Sequence, residues 1–330
     1  MAILDGYLFI IILGDYFMDK NSKIYVAGHR GMAGSAIVRA LEQKGYKNII
    51  KKTSSELDLR NQKKVNEFFK NQSPDTVILA AAKVGGINAN MNDLSGFLID
   101  NLLIQTNVIN AAHYNGTENL LFLGSSCIYP KDAPQPLKEE YLLKGLLEPT
   151  NEGYAIAKIA GLKACEYLNK EYGLNYISMM PPNLYGVNDN FDPNTSHVLS
   201  AILKRMHDAK ENDISSVTIW GTGKQYREFM YVDDMADAAL FLLENYNGSD
   251  FINVGVGKDI TISGLANLIK EIVGYEGELI FDHSKPDGMY RKLLDVSKME
   301  NLGWSYKTSL RDGITKTYKW YLDNIENINK

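Results

Sequence analysis

The chain contains 330 residues, of which 45% are hydrophobic and 23% are charged. These proportions are close to the average for soluble globular proteins, so they exclude a disordered or fibrous chain. The 35 basic and 40 acidic side chains give a formal net charge of -5, which disfavours general binding to nucleic acid or to an anionic membrane. The length predicts one large domain or two unequal ones.

Residues 1–22 precede the first predicted strand and contain a short apolar run, Tyr7–Leu13. The run is too short to cross a bilayer, and acidic rather than basic residues flank it, unlike a signal sequence. We therefore interpret residues 1–22 as an extension of unknown role, and we expect the domain to begin near Met18 or Lys23.

Apolar strand patterns alternate with helical patterns in the next part of the chain. The strand Ile24–Ala27 leads through a glycine turn into a helix that contains Ala36 and Leu41. Strands that alternate with helices imply βαβ units. The sequence predicts an α/β fold with a doubly wound parallel sheet, the Rossmann arrangement. Its further strands are expected at 48–51, 76–82 and 120–124, and its further helices at 65–70, 94–114 and 154–172.

The pattern becomes less regular after residue 182. We interpret residues 23–182 as an NADP-binding Rossmann domain and residues 183–330 as a smaller α/β substrate-binding lobe that is interwoven with it. The stretch 130–149 is predicted to be one long surface loop, and long loops in compact domains are usually functional. In the lobe we expect helices at 197–209, 235–244 and 263–273 and strands at 217–220 and 251–254.

A GxxGxxG turn joins the first predicted strand to the first predicted helix. At this place a dinucleotide pyrophosphate can approach bare backbone and the positive end of the helix. The turn therefore predicts a cofactor site. Its predicted contacts are Gly28, His29, Arg30, Gly31, Met32, Ala33 and Gly34.

The choice between NAD and NADP depends on the residues that meet the adenosine ribose. An acidic side chain favours the free hydroxyl of NAD, and a basic one favours the phosphate of NADP. Arg30, Lys51 and Lys52 are basic, whereas Glu56 is the nearest acid. We therefore predict that the cofactor is NADP(H).

Three residues predict a ketone reductase. Tyr154 and Lys158 share one face of a predicted helix, and a nearby ammonium is expected to lower the pKa of a tyrosine. Ser125 follows a predicted strand at the edge where open α/β sheets collect ligands. In this interpretation Ser125 hydrogen-bonds a carbonyl, Tyr154 protonates it as hydride arrives, and Lys158 holds the phenol and the nicotinamide ribose.

The two cysteines, Cys127 and Cys165, are far apart and belong to no CxxC motif or Cys/His cluster. This usage disfavours a disulfide framework and a structural zinc site, and it favours a reducing cytoplasm. The histidines show no metal-ligand spacing either, so we predict no metal site.

Three longer runs identify a family more specifically than the single residues do. They are Ala80–Gly86, Leu123–Pro130 and Glu148–Asn151. With these runs, the chain resembles the GDP-L-fucose synthase family of the extended short-chain dehydrogenase/reductases, from about Lys23 to its C terminus. The resemblance also includes Asn183–Gly186, Asp189–Phe191, Ser196–Val198, Trp220–Gly221, Arg227–Phe229 and Ser284–Gly288.

The resemblance implies an enzyme that converts GDP-4-keto-6-deoxy-D-mannose to GDP-L-fucose. Its members invert the two carbons that flank the ketone and then reduce the ketone with NADPH. Inversion requires a base that removes a proton and an acid that returns one to the opposite face. The resemblance assigns these roles to Cys127 and His197, respectively. By themselves, Cys127 would be interpreted as a small buried hydrophobe and His197 as a surface residue at a helix start.

The resemblance also implies binding residues. Known bacterial members place a second arginine after the second strand to hold the NADP phosphate, and Ser54 stands at that position here. Strand geometry allows only one of Lys51 and Lys52 to face the cofactor in its place. The further cofactor contacts are Asp58, Ala81, Lys83, Lys158, Pro181, Asn183, Leu184 and His197. The GDP-sugar contacts are Asn183, Arg205, Trp220, Arg227, Asp287 and Lys292.

The resemblance further implies a homodimer built on the helices near 94–114 and 154–172. Two other functions remain as alternatives. A related nucleotide-sugar 4-epimerase or 4-reductase would use the same fold, and tightly retained NAD would indicate the 4-epimerase. A non-catalytic NADP-sensing module would bind the cofactor without turnover, but it has no need of a proton donor such as Tyr154.

Overall fold

The computed structural model describes residues 18–192, 195–285 and 288–328. Strands and helices alternate along much of the chain. The strands are β1 (Ile24–Ala27), β2 (Ile49–Ile50), β3 (Thr76–Leu79), β4 (Asn119–Leu123), β5 (Asn175–Met180), β6 (Asn183–Tyr185), β7 (Ser216–Trp220), β8 (Tyr226–Tyr231), β9 (Ile252–Asn253), β10 (Asp259–Thr261), β11 (Glu278–Asp282) and β12 (Arg291–Lys292). The α-helices are α1 (Met32–Gln43), α2 (Gln62–Gln72), α3 (Ile87–Asn92), α4 (Leu94–Tyr114), α5 (Glu152–Tyr172), α6 (Val198–Glu211), α7 (Val232–Asn245), α8 (Ile262–Val273), α9 (Ser297–Asn301) and α10 (Leu310–Ile328).

A parallel sheet of six strands, in the order β2-β1-β3-β4-β5-β9, forms the centre of the molecule. Helices cover both faces because successive side chains of each strand point to opposite sides. Ile24 and Val26 of β1 pack with α1 and α7, whereas Tyr25 and Ala27 pack with α2, α4 and α5. The predicted α/β fold with a doubly wound parallel sheet is therefore confirmed.

The order of the strands reverses at β1, because β2 lies on one side of it and β3 on the other. In open α/β sheets, ligands bind at such a reversal, beyond the carboxyl ends of the strands. The loops that leave β1, β3 and β4 begin at Gly28, Ala80 and Gly124. The sheet thus brings the three predicted functional segments to one edge.

The chain after β5 builds a smaller lobe and also returns to the central sheet. In the lobe, β8 pairs with β6, β10 and β12, and β7 pairs with β11. Helices α6, α8 and α10 share a third core with these strands. By contrast, α7 packs against the central sheet and β9 extends it. The segment from α7 to β9 therefore belongs spatially to the larger sheet.

Several elements are absent from the predicted set, among them β5, β8 and α10. β5 is fully buried, but the polar residues Asn175 and Ser178 interrupt its apolar pattern. β8 contains a buried charged residue, Glu228, which sequence patterns assign to the surface. The predicted loop 130–149 is also not entirely irregular, because it contains a 3-10 helix at Glu139–Tyr141.

The first described residues are tied to the larger part of the molecule. Met18 is buried in the core beside α1, and its carbonyl accepts a hydrogen bond from the Tyr46 hydroxyl at 3.1 Å. The apolar run Tyr7–Leu13 lies outside the described residues. Within the described ranges, none of the helices combines the length and apolar character needed to cross a membrane.

Candidate active site

A cleft of about 750 Å³ opens at the carboxyl edge of the central sheet. The predicted catalytic residues Ser125, Cys127, Tyr154, Lys158 and His197 all line it. The structure thus brings together side chains from β4, α5 and the start of α6. The predicted cofactor contacts line the same cleft, namely Gly28, His29, Arg30, Gly31, Met32, Ala33, Gly34, Asp58, Ala81, Lys83, Lys158, Pro181, Asn183, Leu184 and His197.

The glycines of the turn allow its backbone to pack closely on itself and on the segment after β3. Gly28 has a φ of 85°, and a Cβ built on it would lie 2.7 Å from the Ala81 nitrogen. A Cβ on Gly34 would lie 2.2 Å from the Gly28 carbonyl oxygen. No side chain caps α1 at Gly31, and its first turn contains no acidic residue. The positive end of α1 is therefore available to an anion.

Basic and hydroxyl side chains line the cleft beyond β2. They include Lys52 and Ser54, whereas Lys51 does not line the cleft and pairs with Glu42 at 3.4 Å. Glu56 is also outside the lining. It accepts a hydrogen bond from the Thr53 backbone at 2.8 Å, and this bond is the main reason that its pKa is about 2. Of the two lysines, only Lys52 lines the candidate cofactor site, and its Nζ lies 3.3 Å from the Glu56 Oε1.

The Ser125, Tyr154 and Lys158 side chains meet at the end of β4. Tyr154 and Lys158 lie one turn apart on α5, and the Lys158 Nζ lies 5.7 Å from the centre of the Tyr154 ring. The Lys158 Nζ donates a hydrogen bond to the Leu123 carbonyl at 2.7 Å. Ser125 lies beside Tyr154, close enough to lower the pKa of its phenol. A ketone oxygen placed beside Ser125 and Tyr154 would meet two hydroxyl groups.

Burial decides the ionisation of this group. It raises the pKa of Tyr154, Cys127 raises it further, and the hydrogen bond with Ser125 lowers it. Burial also lowers the pKa of Lys158 to about 7. We expected Lys158 to lower the pKa of Tyr154, and the structure differs because Lys158 is itself buried and bonded to the Leu123 carbonyl. The phenol stays protonated, as a proton donor must be.

Cys127 lies in a 3-10 turn, Ser126–Ile128, directly after β4. Its Sγ accepts hydrogen bonds from the Lys292 Nζ and the Asn151 Nδ2, each at 3.2 Å. Burial raises the pKa of this thiol, but the charge of Lys292 and hydrogen bonds from Ser125, Lys292 and Asn151 outweigh burial and lower it overall. These contacts favour the thiolate, which is the form that acts as a base.

His197 precedes α6 and lines the cleft from the smaller lobe. The segment before it is fixed against the central domain, because the Gly86 N–H donates to the Thr195 carbonyl at 3.1 Å. A Cβ on Gly86 would lie 2.8 Å from the Ser196 carbonyl oxygen. Burial lowers the pKa of His197, and the charge of Lys292 lowers it further. Lys292 therefore acts on both predicted acid–base residues.

The smaller lobe also supplies Asn183, Arg227 and Lys292 to the cleft. Asn183 lies on β6 and donates a hydrogen bond from its Nδ2 to the Glu228 carbonyl at 2.9 Å. Arg227 lies on β8 and donates from its Nη1 to the Tyr226 carbonyl at 2.7 Å. The pairing of β6 and β12 with β8 therefore brings these three residues to one wall.

Two predicted GDP-sugar contacts, Arg205 and Trp220, lie outside the lining of the cleft. Arg205 on α6 does not line the cleft, and its Nη1 donates to the Thr218 carbonyl at 2.8 Å. Trp220 at the end of β7 also lies outside the lining, and 52% of its surface is exposed. Asp287 lies outside the described residues. Contacts of these three residues with a GDP-sugar stay predictions.

With this geometry established, comparison with known proteins defines the family. Residues 24–255 match the sequence model of the NAD dependent epimerase/dehydratase family. The chain belongs to this family. The matched residues include the glycine turn and the Ser125, Tyr154 and Lys158 group.

Several known proteins are similar to this chain over nearly its whole length. The chain is 56% identical over 309 residues to GDP-L-fucose synthase 1 of Arabidopsis thaliana. The matched region covers 94% of this chain and 96% of that protein. A solved GDP-6-OMe-4-keto-L-xylo-heptose reductase from C. jejuni has a TM-score of 0.90 and 40% identity, covering 93% and 99% of the two chains. A solved GDP-L-fucose synthetase from Naegleria fowleri bound to NADP has a TM-score of 0.88 and 27% identity, covering 95% and 98%.

A nicotinamide dinucleotide is the cofactor of the NAD dependent epimerase/dehydratase family, and the cleft fits one. The uncapped start of α1, directly after the glycine turn, provides backbone donors for a pyrophosphate. The buried Nδ1 of His29 has no hydrogen-bond partner among the described residues, so a ligand group would satisfy it. For metals the structure offers no comparable feature, since the described ranges contain no cluster of three or more His, Cys, Asp or Glu that could hold an ion.

Two contacts at the sulfur of Cys127 were not predicted. Asn151 and Lys292 both donate to the Cys127 Sγ. Asn151 belongs to the run Glu148–Asn151, so the motif marked the residue without indicating its role. Lys292 is predicted from the sequence only as a GDP-sugar contact, and no local pattern connects it with Cys127.

Proposed function

We propose that the chain converts GDP-4-keto-6-deoxy-D-mannose to GDP-L-fucose by 3,5-epimerisation and 4-keto reduction with NADPH. The observation that carries this proposal is the position of Cys127, whose Sγ accepts a hydrogen bond from the Lys292 Nζ at 3.2 Å in the same cleft as the Tyr154 group. A reductase alone needs Ser125, Tyr154 and Lys158. It has no use for a thiol that Lys292 stabilises as a thiolate, whereas an epimerase needs such a base.

Inversion begins with the removal of a proton from a carbon beside the ketone. The Cys127 thiolate accepts this proton, and hydrogen bonds from Ser125 and Tyr154 stabilise the negative charge that develops on the ketone oxygen. Protonated His197 returns a proton to the opposite face of the carbon. Each inversion leaves the redox state unchanged, and it ends with Cys127 protonated and His197 neutral. Exchange with solvent then restores both groups for the second inversion.

Reduction uses the same oxygen contacts. NADPH supplies the hydride that adds to the ketone carbon. Tyr154 donates its hydroxyl proton to the ketone oxygen, and Ser125 holds that oxygen in place. Lys158 lies on the same face of α5, where we assign it to orient the phenol and the nicotinamide ribose.

We further propose that the chain prefers NADPH to NADH through Lys52. Replacing Lys52 by alanine removes one of the cations that line the cleft, so we expect the KM for NADPH to rise about tenfold, which corresponds to about 1.4 kcal/mol. The KM for NADH should not change. Lys51→Ala is the matched control because Lys51 pairs with Glu42 outside the cleft. An unchanged KM for NADPH in Lys52→Ala would contradict the assignment.

We also propose a homodimer formed through α4 and α5. Exposed apolar side chains on these helices include Leu94, Ile99, Leu103, Ile156, Tyr167 and Tyr172. Leu103→Glu would place a charge in this surface, so we expect light scattering to show a shift from dimer to monomer. Leu322→Glu, on the exposed side of α10, is the control and should leave the mass unchanged. A dimer that survives Leu103→Glu would contradict the proposed interface.

The remaining assignments belong to the same proposal. We assign residues 23–182 to NADP binding and residues 183–330 to GDP-sugar binding, and we place the chain in the cytoplasm. The free Cys127 and Cys165 are consistent with a reducing compartment.

One experiment tests the proposed reaction directly. Purified protein is mixed with GDP-4-keto-6-deoxy-D-mannose and NADPH in deuterated water, and NADPH loss and the position of deuterium in the product are followed. We expect NADPH consumption with deuterium at both carbons that flank the former ketone. Consumption without that label would indicate a simple 4-reductase, and binding of NADPH without consumption would indicate a sensor.

A further inference from the structure

The contact between Lys292 and Cys127 depends on a very short strand. β12 contains only Arg291 and Lys292, and it pairs in parallel with β8. So short a ladder supplies few backbone hydrogen bonds, and the residues after it must also be anchored. The next two backbone N–H groups are both held by side chains. Leu293 donates to the Gln135 Oε1 at 2.9 Å, and Leu294 donates to the Glu228 Oε2 at 2.9 Å.

Glu228 is fully buried on β8, one residue after Arg227. Its Oε2 accepts from Leu294, and its Oε1 accepts from the backbone N–H groups of Val256 at 2.6 Å and Gly257 at 2.8 Å. A Cβ on Gly255 would lie 2.3 Å from this Oε1, so a glycine leaves the space that the carboxylate occupies. The surroundings therefore fit a side chain with two acceptor oxygens.

An amide does not satisfy this arrangement. Glutamine would present one NH2 group to a backbone N–H, and two donors cannot pair. Burial raises the pKa of Glu228 to about 7, although the three backbone hydrogen bonds lower it. Glu228 does not line the cleft, so it cannot touch a substrate there.

We propose that Glu228 is a positioning residue for the two inversions. Its carboxylate fixes the chain after β12, and this anchor keeps the Lys292 ammonium on the sulfur of Cys127. The proposal rests on the proposed function for the role of Cys127 as a base. The link from Glu228 through Lys292 to the sulfur is testable without any substrate.

Replacing Glu228 by a neutral residue distinguishes its positioning of Lys292 from the direct effect of its charge on Cys127. Removing a nearby negative charge would by itself favour the thiolate and lower the pKa of Cys127. Loss of the Lys292 contact would disfavour the thiolate and raise that pKa. The direction of the shift therefore identifies the cause.

The experiment measures how fast iodoacetamide alkylates Cys127 as a function of pH, with peptide mass spectrometry to separate Cys127 from Cys165. We expect Glu228→Gln to move the alkylation profile to higher pH. Deuterium exchange into the substrate near neutral pH should fall about tenfold, the effect of losing one hydrogen bond to a charged group. NADPH affinity should not change.

Matched variants complete the test. Asp234→Asn makes the same acid-to-amide change at another buried carboxylate, which accepts from the Thr308 backbone at 2.8 Å outside the cleft. It should keep the wild-type profile. Gly255→Ala displaces the Glu228 carboxylate without removing its charge, and it should also move the profile to higher pH. This variant carries the test if Glu228→Gln does not fold.

A double variant shows whether Glu228 acts through Lys292. Lys292→Met should move the profile to higher pH, and adding Glu228→Gln to it should cause no further upward shift, because the contact through which Glu228 acts is already lost. An unchanged or downward shift in Glu228→Gln, or a further upward shift in the double variant, would overturn the proposal. If the wild-type chain makes no GDP-L-fucose but the profiles shift as expected, the proposed function fails and the positioning role stands.

Discussion

Replacing Cys127 by serine is expected to lower deuterium incorporation beside the ketone by roughly 100- to 10,000-fold, the usual contribution of one acid–base group. A serine hydroxyl does not ionise near neutral pH, so the base is lost. The oxygen still accepts hydrogen bonds from Lys292 and Asn151, which now donate to the sulfur. NADPH affinity and the fold should therefore be unchanged.

The measurement is solvent deuterium incorporation, read by mass spectrometry, with NADPH binding followed in parallel. Cys165→Ala is the control, because Cys165 is buried in the core between α5 and the sheet and should not affect exchange. In the wild type, exchange needs the Cys127 thiolate and protonated His197. Since both pKa values are lowered, we expect a bell-shaped pH profile displaced to lower pH. Full GDP-L-fucose formation by Cys127→Ser would contradict the assignment.

Replacing Tyr154 by phenylalanine should lower reduction by a similar factor of roughly 100- to 10,000-fold. The variant removes the proton donor but keeps the ring, which packs against Phe97 with a centroid distance of 6.5 Å. Cofactor affinity should change little. Deuterium exchange should fall less than NADPH consumption, because Ser125 still hydrogen-bonds the ketone oxygen.

Single-turnover NADPH oxidation and deuterium exchange on the same sample would separate the two steps. Tyr167→Phe makes the same change on an exposed part of α5 and should leave both rates at the wild-type level. If Tyr154→Phe lowered the two rates equally, Tyr154 would have a shared binding role rather than the role of the proton donor for reduction.

Much of the larger part of the molecule could be predicted because its signals are local. The strand Ile24–Ala27, the glycine turn and α1 follow one another directly in sequence. Tyr154 and Lys158 share a helix face because they are four positions apart. The sheet edge then places Ser125 beside them, since the carboxyl ends of parallel strands meet at one edge.

The smaller lobe was harder to predict because its signals are weak or distributed. In this lobe β8 contains a buried charged residue, so hydrophobic periodicity alone does not reveal it; β5 of the central sheet is hidden in the same way by its buried polar residues. Glu228 is the clearest case, because a lone glutamate in sequence predicts a surface position. Its burial becomes possible only when Val256, Gly257 and Leu294 supply backbone donors from other parts of the chain.

The sequence by itself determined the α/β class, the position of the glycine turn and the helix face that Tyr154 and Lys158 share, because spacing along a strand or helix fixes which side chains share a face. Only the tertiary structure decided which groups surround the Cys127 sulfur. Lys292 lies 165 positions from Cys127 along the chain, and the two meet because β12 pairs with β8. Such a contact depends on strand pairing between distant segments, and no local spacing encodes it.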